Sequence, residues 1–600
     1  MVLGRRHIPF SNGEPTLYDE AVQALMSPLH QAMDKESLQK SAERRVHTVS
    51  DMRHYWNRIQ FGNHHATNNH DCTEGRTLPV PPRMIHITGT KGKGSTACFC
   101  QAILNSHGYS TGLFTSPHLM DMRERIRLDG HPVHPNIFAK AYWKIRNDLE
   151  SHTAWSEDLP TLPGYFRMLT LMAFYIFAEL KVDVWIVEVG MGGRYDATNF
   201  LDRTAISHRS ICGVTLLDLD HTRVLGETLV KIAWEKGGIF AVDKETTRGL
   251  SPKPSAVDST EGGESGWEPP THEEDSTTLD SNEQVTLDNV SSISFVLDSN
   301  NDDVLAVFHQ CASNEGRGGC LKTVDARGEE LRAALGNRTL GIAGEHQYGN
   351  ANLAIHLCHA TTAHETDGSL LPTLADYLQD PKTLQGLIEA SWPARCQTVR
   401  RPGSCLEFQL DGAHTPLSLT ATIEWFTKQS ALTPRRILVF NCSHERNPIE
   451  LLDLLKDVPF TCVYFVKPDS CRPSPVYKQT AQELLEEANI PVNEEWVQSI
   501  REHHTSGETE TWQETLGILW KHLVVLSTTT SEMTLRHASH YAVPLICNKS
   551  SLEIVSELGT TISEPTDVLV TGSLYIVGSF LTALDWVEQS STDKSALLLG

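Results

Sequence analysis

Several features that would place this chain in a specialised class are missing from its sequence. Its thirteen cysteines include no C-x-x-C pair, which argues against a zinc knuckle or a disulfide framework and favours reduced thiols in a cytosol-like compartment. There is no basic stripe, so no nucleic-acid partner is expected, although a local cationic pocket for a phosphate or carboxylate is compatible with the sequence. No internal repeat period is present.

Long hydrophobic runs are also lacking. The longest, MLTLMAFYIFAEL at 168–180, is too short to span a bilayer and predicts a buried helix. The first fifteen residues contain two arginines but no apolar core of signal-peptide length, so secretion is not expected. These absences predict a cytoplasmic protein without stable membrane insertion, and they are compatible with a mitochondrial form.

The length of 600 residues predicts at least two domains, because one hydrophobic core rarely serves so long a chain. Residues 253–303 carry thirteen Asp or Glu and one Lys, which is half of the net charge of −24. From about 243 to 337 large apolar groups are few, and we expect an acidic, partly disordered insertion. Its two apolar runs, VSSISFVL and DVLAVFHQ, are predicted to form a hairpin.

Alternating strand-like and helical patterns predict an α/β protein of two domains. In residues 1–385, MIHIT, STGLFT and VDVWIVEVG alternate with helices, which is typical of a mostly parallel sheet with ligand sites at the carboxyl ends of its strands. In residues 386–600, the runs RRILVFN, FTCVYFV, HLVVLS, AVPLIC and DVLVTGS are predicted strands of a smaller, Rossmann-like α/β domain.

The stretch MIHITGTKGKGSTACFCQAILNSHG predicts a strand, a glycine-rich turn and a helix, which together form a phosphate-binding loop. Lys93 would reach the terminal phosphates, and Ser95 or Thr96 would cap the helix or contact a phosphate or its magnesium. The general pattern GxxxxGK[ST] is only partly met, since Ile87 replaces its first glycine and Gly94 follows the lysine.

Two later segments contain polar groups next to apolar strands or helices. Glu188 ends a buried strand, where magnesium on a nucleotide is a common partner for a carboxylate. Pairing with Arg194 is the alternative for this group. His221 lies in a loop before a predicted helix, and Lys236 is at the end of that helix. A lone histidine or lysine more often has a structural role than a role in binding or catalysis.

In this setting, eight ordered motifs resemble those of the folylpolyglutamate synthases, which belong to the Mur ligase-like family of ATP-dependent amide-forming enzymes. The motifs are HITGTKGKGST, LFTSPHLMDMRERI, YFRMLTLMAFYIF, VEVGMGGRYDATN, LDHTRVLGETLVKIAWEKGGIF, GEHQYGNANLA, WPARCQ and DGAHT. They cover almost the whole chain apart from the insertion and the N-terminal extension. The resemblance implies a P-loop ATPase domain followed by a ligase domain, and it makes the Lys-Gly-Ser form of the loop a property of the family.

The resemblance also implies roles for individual residues. The expected ATP-binding residues are Gly89, Thr90, Gly92, Lys93, Gly94, Ser95, Asn350, Arg395 and Asp411. The expected magnesium ligands are Ser116, Glu188 and His221. The residues expected to act in catalysis are Lys93, Lys236 and His414. The residues expected to contact the pterin end of the substrate from a mobile loop are Pro117, His118, Arg123 and Arg125. The family usually has glycine where Ala394 stands, and we expect this change to be harmless.

The activity implied is the addition of L-glutamate to the γ-carboxylate of folate and its polyglutamates, with ATP as co-substrate and Mg²⁺ as cofactor. A monovalent cation and a carbamate on Lys236 are further cofactors that the family allows, and a monomer is expected. The proton acceptor is left open between His414 and Asp411. Two alternatives are a dihydrofolate synthase acting on dihydropteroate and an inactive nucleotide-binding scaffold.

Overall fold

The computed structural model describes most of the chain, with gaps at both ends and between several elements. The described residues are 16–27, 44–59, 82–151, 159–200, 210–240, 294–314, 321–362, 373–401, 403–469, 479–494, 510–529, 545–547 and 549–588.

Among these residues, the first domain is built on an eight-stranded sheet with the order β4-β3-β2-β5-β1-β6-β7-β8. Its strands are β1 (Met84–Thr88), β2 (Thr111–Phe114), β3 (Ile126–Leu128), β4 (His131–Pro132), β5 (Val184–Glu188), β6 (Ser210–Val214), β7 (Ser294–Leu297) and β8 (Leu321–Val324). In the sheet order, each neighbouring pair from β2 through β5, β1, β6 and β7 to β8 is parallel. At the other edge, β3 is antiparallel to β2 and β4 is antiparallel to β3. The carboxyl ends of β2, β5, β1 and β6 therefore meet at one edge of the sheet.

Helices cover both faces of this sheet. They are α1 (Leu17–Met26), α2 (Thr48–Arg58), α3 (Lys93–Ser106), α4 (Pro135–Ser151), α5 (Tyr165–Glu179), α6 (Thr222–Leu225), α7 (Leu229–Gly237), α8 (Asp302–Asn314), α9 (Glu329–Leu335), α10 (Gln347–Thr362), α11 (Leu374–Gln379) and α12 (Pro381–Glu389). Along β5, Trp185 and Val187 join the apolar core under α1, α2, α4 and α5, whereas Val184 and Ile186 join the core under α3 and α10. A strand buried on both faces reads as a continuous apolar run, as VDVWIVEVG does.

The second domain is built on a six-stranded sheet with the order β13-β12-β11-β14-β10-β9. Its strands are β9 (Gln397–Arg400), β10 (Leu406–Leu410), β11 (Arg435–Phe440), β12 (Cys462–Phe465), β13 (Leu545–Cys547) and β14 (Thr566–Thr571). All neighbours are parallel except β9, which pairs antiparallel with β10. The helices are α13 (Pro416–Gln429), α14 (Pro448–Leu455), α15 (Ala481–Glu487), α16 (Trp512–Thr529), α17 (Ser551–Thr561) and α18 (Leu574–Ala583).

Two secondary-structure elements differ from the sequence predictions. VSSISFVL and DVLAVFHQ do not form a hairpin: they contribute to β7 and α8, and β7 runs parallel to β6 and β8 in the main sheet. HLVVLS is part of the helix α16 and not a strand. Short apolar runs are ambiguous between a strand and a buried helix, and only the neighbouring elements decide.

The domain boundary also differs in position. The predicted boundary at 385/386 falls inside α12, which packs so closely on α3 that a Cβ atom at Gly386 would lie 2.8 Å from Ala102 O. The insertion is shorter than predicted, because residues 294–314 and 321–337 belong to the first sheet and its helices. Residues 241–293, where disorder is predicted, lie outside the described residues.

The segment before the phosphate loop is part of the first domain. Helices α1 and α2 bury Tyr18, Met52 and Trp56 in the core shared with α4 and α5. Within the described part of the chain, no helix has both the length and the apolar character to cross a membrane.

Candidate active site

The phosphate loop connects β1 to α3 and depends on two glycines with positive φ. Gly89 has φ +138°, and a Cβ atom there would lie 1.9 Å from Thr215 Oγ1. Gly92 has φ +94°, and a Cβ atom there would lie 2.2 Å from Asn350 Oδ1. Because a side chain at either position would be both strained and blocked, the loop can take this path only with glycine.

The helix that follows this loop begins without a cap. No side chain bonds to its first turn, and among the described residues the amides of Lys93, Gly94 and Ser95 have no acceptor. Unpaired amides and the positive end of the helix dipole suit a phosphate. Lys93 lies back over the loop, with its Nζ 3.4 Å from Thr90 O. Phosphate binding by this loop stays a prediction, and its unpaired amides are suited to it.

Glu188 lies beside this helix end in a cleft of about 410 Å³, which Gly94, Ser116, Pro117 and Arg395 also line. Its Oε2 accepts hydrogen bonds from Thr115 Oγ1 and from the Ser116 amide, the latter at 3.0 Å. Among the described residues nothing donates to Oε1. The cleft thus contains a carboxylate oxygen of the largely buried Glu188 that accepts no hydrogen bond from the described residues, close to the uncapped amides.

Arg194, the alternative partner of Glu188, lies elsewhere. Its guanidinium is 4.0 Å from the ring centroid of Trp234 and donates to the carbonyl of the same residue. Pairing with Arg194 therefore does not account for Glu188; the guanidinium groups that share its cleft are those of Arg127 and Arg395.

A second cavity of about 290 Å³ lies on the other side of the loop, lined by Gly89, Lys93, Asp220, His221 and Lys236 among others. Lys236 is fully buried and donates to Gly89 O at 2.7 Å. Burial, reinforced by the charge of Lys93, lowers the pKa of Lys236 well below its usual range. The amine of Lys236 therefore holds the loop backbone at Gly89, and its burial favours the neutral form.

The three expected magnesium ligands are not all in one cavity. Ser116 and Glu188 are adjacent, whereas His221 lines the second cavity together with Val189 and Gly190, the residues that follow Glu188. In the described ranges, no three His, Cys, Asp or Glu side chains come close enough to hold a metal ion.

Asp220, which the sequence analysis did not single out, is the centre of a charged cluster between the domains. Its carboxylate lies 2.9 Å from Arg446 Nη1 and 3.9 Å from both Lys91 Nζ and His414 Nε2. Burial opposes ionisation of Asp220, but the charges of His221, Arg446 and Lys91 hold its pKa well below the usual range. The sequence signal that could have identified Asp220 is its position directly before His221. Its partners Lys91, His414 and Arg446 come from distant segments, so the sequence does not show them.

His414 joins this cluster as a neutral imidazole. Its Nδ1 is 2.8 Å from Gly412 O, and because a carbonyl only accepts, Nδ1 carries the proton. Burial, together with the charge of Lys91, lowers the pKa of His414 to about 3. Nε2 is therefore left as a hydrogen-bond acceptor, and it accepts from Lys91 Nζ at 3.4 Å.

Asp411 forms its hydrogen bonds within the second domain. Its carboxylate accepts from the Cys396 amide at 2.8 Å, the Ala413 amide at 2.9 Å and Thr422 Oγ1 at 2.9 Å. These bonds hold the WPAR and DGAH loops together and leave little capacity for a nucleotide contact. Arg395, in contrast, lines the first cleft, and Ala394 before it has φ +60°, a conformation that favours glycine.

In the segment predicted to contact the pterin, the charged side chains pair with residues of the same segment. Arg123 pairs with Asp121 at 2.8 Å, and Arg125 Nε donates to His118 Nδ1 at 2.8 Å. Glu124 accepts from the amides of residues 119–121, which fixes the turn. Only Pro117 of the four expected contacts lines the cleft, so the structure does not bring His118, Arg123 and Arg125 to it.

Two further cleft residues were missed by the sequence analysis. Arg127 of β3 lines the cleft, and its guanidinium lies 4.8 Å from the ring centroid of Trp392. Trp392 also restricts Gly94, where a Cβ atom would lie 3.3 Å from its Nε1. This contact is a physical reason for glycine where the general phosphate-loop pattern has Ser or Thr.

Comparison with known proteins places these features in a family. No family model matches the chain. The folylpolyglutamate synthase of Arabidopsis thaliana is 32% identical over 548 residues, which is 83% of this chain and 79% of that protein. The mitochondrial folylpolyglutamate synthase of Bos taurus is 35% identical over 403 residues, or 64% of this chain. That match spans only 58% of the bovine protein's length.

Solved structures share the fold. The folylpolyglutamate synthase of Mycobacterium tuberculosis, complexed with ADP, superposes with a TM-score of 0.57 at 18% identity, over 96% of this chain and 99% of that one. FolC of E. coli, complexed with DHPP and ADP, gives a TM-score of 0.55 at 18% identity, over 96% and 98% of the two chains. These matches confirm the predicted α/β fold class of two domains. Since the similarity to the plant protein extends over most of both chains at 32% identity, this chain belongs to the folylpolyglutamate synthase family.

Proposed function

We propose that the protein is an ATP-dependent ligase that adds L-glutamate to the γ-carboxylate of tetrahydrofolate and its polyglutamates, giving ADP and phosphate. The observation that carries this proposal is the uncapped N-terminus of α3, where Gly94 lines the same cleft as Glu188 and Arg395. Relatives named folylpolyglutamate synthase support the choice of substrates.

The chemistry requires activation of a poor electrophile. An oxygen of the folate γ-carboxylate attacks the γ-phosphorus of ATP, the bond to ADP breaks, and an acyl phosphate forms. The amino group of L-glutamate then attacks the acyl carbon, phosphate leaves, and the nitrogen loses a proton. Because two anions approach each other in the first step, cationic groups such as Lys93 and the amides of α3 must offset their repulsion.

Magnesium fits the cleft through Ser116 and Glu188, which offer a hydroxyl and the unpartnered carboxylate oxygen, the hard ligands that this ion prefers. When bound, the ion would offset charge on the β- and γ-phosphates. We assign His221 to the same set from the neighbouring cavity, which Val189 and Gly190 border.

Lys236 is the proposed position of a carbamate. A neutral amine is the form that reacts with carbon dioxide, and the burial that lowers the pKa of Lys236 well below its usual range favours this form. The product would be a carboxylate opposite Lys93, in a cavity that otherwise contains the carboxylate of Asp220.

His414 is the better proton acceptor of the two candidates. Its Nε2 accepts a single, long hydrogen bond from Lys91 Nζ at 3.4 Å, whereas the Asp411 carboxylate already accepts three shorter ones. The pKa of about 3 limits its basicity, so we assign it the role of relaying the proton to solvent and not of holding it.

Turnover with two acceptors tests the proposal. Purified protein is incubated with ATP, L-glutamate and either tetrahydrofolate monoglutamate or dihydropteroate, and ADP and product mass are measured. We expect glutamate-dependent ADP with the folate and products longer by whole glutamyl units. Turnover of dihydropteroate alone would identify a dihydrofolate synthase, and no turnover of either would indicate a nucleotide-binding scaffold.

The variant Lys93→Ala is measured in the same turnover assay. Removing a charge positioned at the transferred group should lower glutamate-dependent ADP release by at least about 100-fold. Lys140→Ala, which changes an exposed lysine of α4, is the matched control. Equal rates for the two variants would contradict the assignment.

We further propose that the protein acts as a monomer in the cytoplasm and has a mitochondrial form. The bovine and human relatives are named mitochondrial, which motivates the second compartment. Fractionation of cells that express the natural gene measures this distribution, and exclusive recovery from one compartment would contradict it.

A further inference from the structure

Arg127 is a buried cation in the cleft that the reaction outlined above does not use. Its side chain is only 3% exposed, and it lines the cleft with Gly94, Glu188 and Arg395. Arg127 comes from the first domain and Arg395 from the second. A cleft with one guanidinium from each domain beside an uncapped helix is suited to more than one anion.

The guanidinium of Arg127 is paired with a carboxylate from the far end of the chain. Arg127 Nη1 lies 2.7 Å from Glu588 Oε1, and Nη2 lies 3.1 Å from Glu588 Oε2. This two-bond arrangement is the one by which arginine recognises a free carboxylate ligand. The two residues are 461 positions apart, and Glu588 lies five residues beyond the end of α18 (Leu574–Ala583) in the second domain.

The first domain provides few other hydrogen-bond partners for Arg127. Within its own domain it donates to Gly130 O at 3.0 Å, and its Nε is buried without an acceptor among the described residues. The nearby carboxylate of Glu124 is committed to backbone amides. Arg127 therefore depends on a carboxylate from outside its domain, and Glu588, at 22% exposure, is the more accessible member of the pair.

We propose that Arg127 binds a carboxylate of an anionic substrate in this cleft and that Glu588 occupies it until that substrate displaces it. The inference rests on the proposed function, which supplies two such carboxylates: the glutamyl tail of the folate and free L-glutamate. Exchange of one carboxylate for another leaves Arg127 paired throughout, so the buried charge is never uncompensated.

Kinetics of Glu588→Gln test the exchange. Removing the internal competitor should lower the KM of one substrate by roughly three- to ten-fold, because the competent fraction of the enzyme rises. Tetrahydrofolate and L-glutamate are titrated separately, so the affected KM identifies which carboxylate binds Arg127. The control is Glu564→Gln, which removes the exposed pair with Arg435 and should leave both KM values unchanged.

Variants of Arg127 complete the test. Arg127→Gln should raise the KM of that same substrate by at least about ten-fold, and Arg127→Lys should restore part of the loss, because a lysine supplies the charge without the two-bond geometry. In the Arg127→Gln background, Glu588→Gln should no longer lower the KM. Unchanged or raised KM values for both substrates in Glu588→Gln alone would overturn the proposal and leave the pair as a structural contact.

Failure of the proposed function would be recognised separately. If the wild-type protein releases no ADP with either substrate, calorimetry with L-glutamate and with pteroyltriglutamate, each in the presence of ADP, replaces the kinetics. Tighter binding of one of these ligands to Glu588→Gln than to wild type supports the carboxylate site. Equal binding of both ligands overturns it.

Discussion

Deprotonation of Lys91 should weaken nucleotide binding above pH 8. This lysine belongs to the phosphate loop, and burial lowers its pKa from 10.5 to about 8. The acidic groups that face it raise this pKa, and the basic groups lower it further. The charged and titratable groups concerned are Asp218, Asp220, Arg446, Lys93 and His414. Lys91 therefore loses its charge within a pH range where the other lysines of an ordinary protein keep theirs.

The expected size of the effect follows from Coulomb's law. A unit charge at roughly 8–16 Å from a bound anion contributes about 1–2 kcal/mol at an effective dielectric constant of about 20. Loss of the Lys91 charge should then weaken ADP binding by about five- to thirty-fold in total, with the midpoint close to pH 8.

The same pKa shift has the opposite effect on stability. Between about pH 8 and 10.5 the unfolded chain keeps a proton on Lys91 that the native state has lost, so this group makes the native state more stable as the pH rises. Weaker nucleotide binding in this range is therefore not a result of unfolding driven by Lys91.

The assay is calorimetric titration with ADP between pH 7 and 9.5 at constant ionic strength. Lys91→Arg should give a flat profile because arginine stays charged, and Arg446→Gln should move the midpoint to higher pH because a neighbouring positive charge is removed. Lys140→Arg, at an exposed position of α4, should retain the wild-type profile. A wild-type profile in Lys91→Arg, or a lower midpoint in Arg446→Gln, would refute the reasoning.

Two stability predictions concern residues near the site. Ala394→Gly should change the free energy of unfolding by less than about 1 kcal/mol. Relief of about 1–2 kcal/mol of left-handed strain at φ +60° is offset by the lost methyl group and by the greater entropy of the unfolded chain. Urea denaturation measures this, and a gain above about 2 kcal/mol would contradict it. Arg45→Gln should cost about 1–3 kcal/mol, since it leaves buried Glu235, the neighbour of Lys236, without its two-bond partner. The exposed pair of Arg146 and Glu150 provides the control, and an equal loss in Arg146→Gln would count against the assignment.

Local features of the sequence predicted the strand, loop and helix of the proposed phosphate site. The apolar run MIHIT coincides with β1, the loop glycines have the positive φ that explains their presence, and α3 begins at Lys93. Glu188 was equally accessible to sequence reasoning, because a carboxylate on the last residue of a doubly buried strand must lie at the carboxyl edge of the sheet. Each of these inferences depends on contacts between near neighbours in the chain.

Predictions that needed long-range information were less successful. The apolar run HLVVLS fits a strand as well as a helix, and only its packing against β12 and β13 in the second domain places it in α16. The hairpin prediction was wrong for the same reason, since β7 gains its hydrogen bonds from β6 and β8 and not from the segment next to it. The family resemblance implied substrate contacts for Arg123 and Arg125; in the structure Asp121 and His118 are their partners, and the substrate role stays a prediction.

The sequence by itself determined the backbone of the phosphate loop, the alternation of strands and helices, and the family. Glycine placement and apolar periodicity are local properties, and they restrict the chain before any domain docks. Only the tertiary structure decided which charges meet: Asp220 with Arg446 and His414, and Arg127 with Glu588. Such pairs join segments hundreds of residues apart, and a charged side chain has no sequence pattern that identifies its partner, because the docking of the two domains selects it.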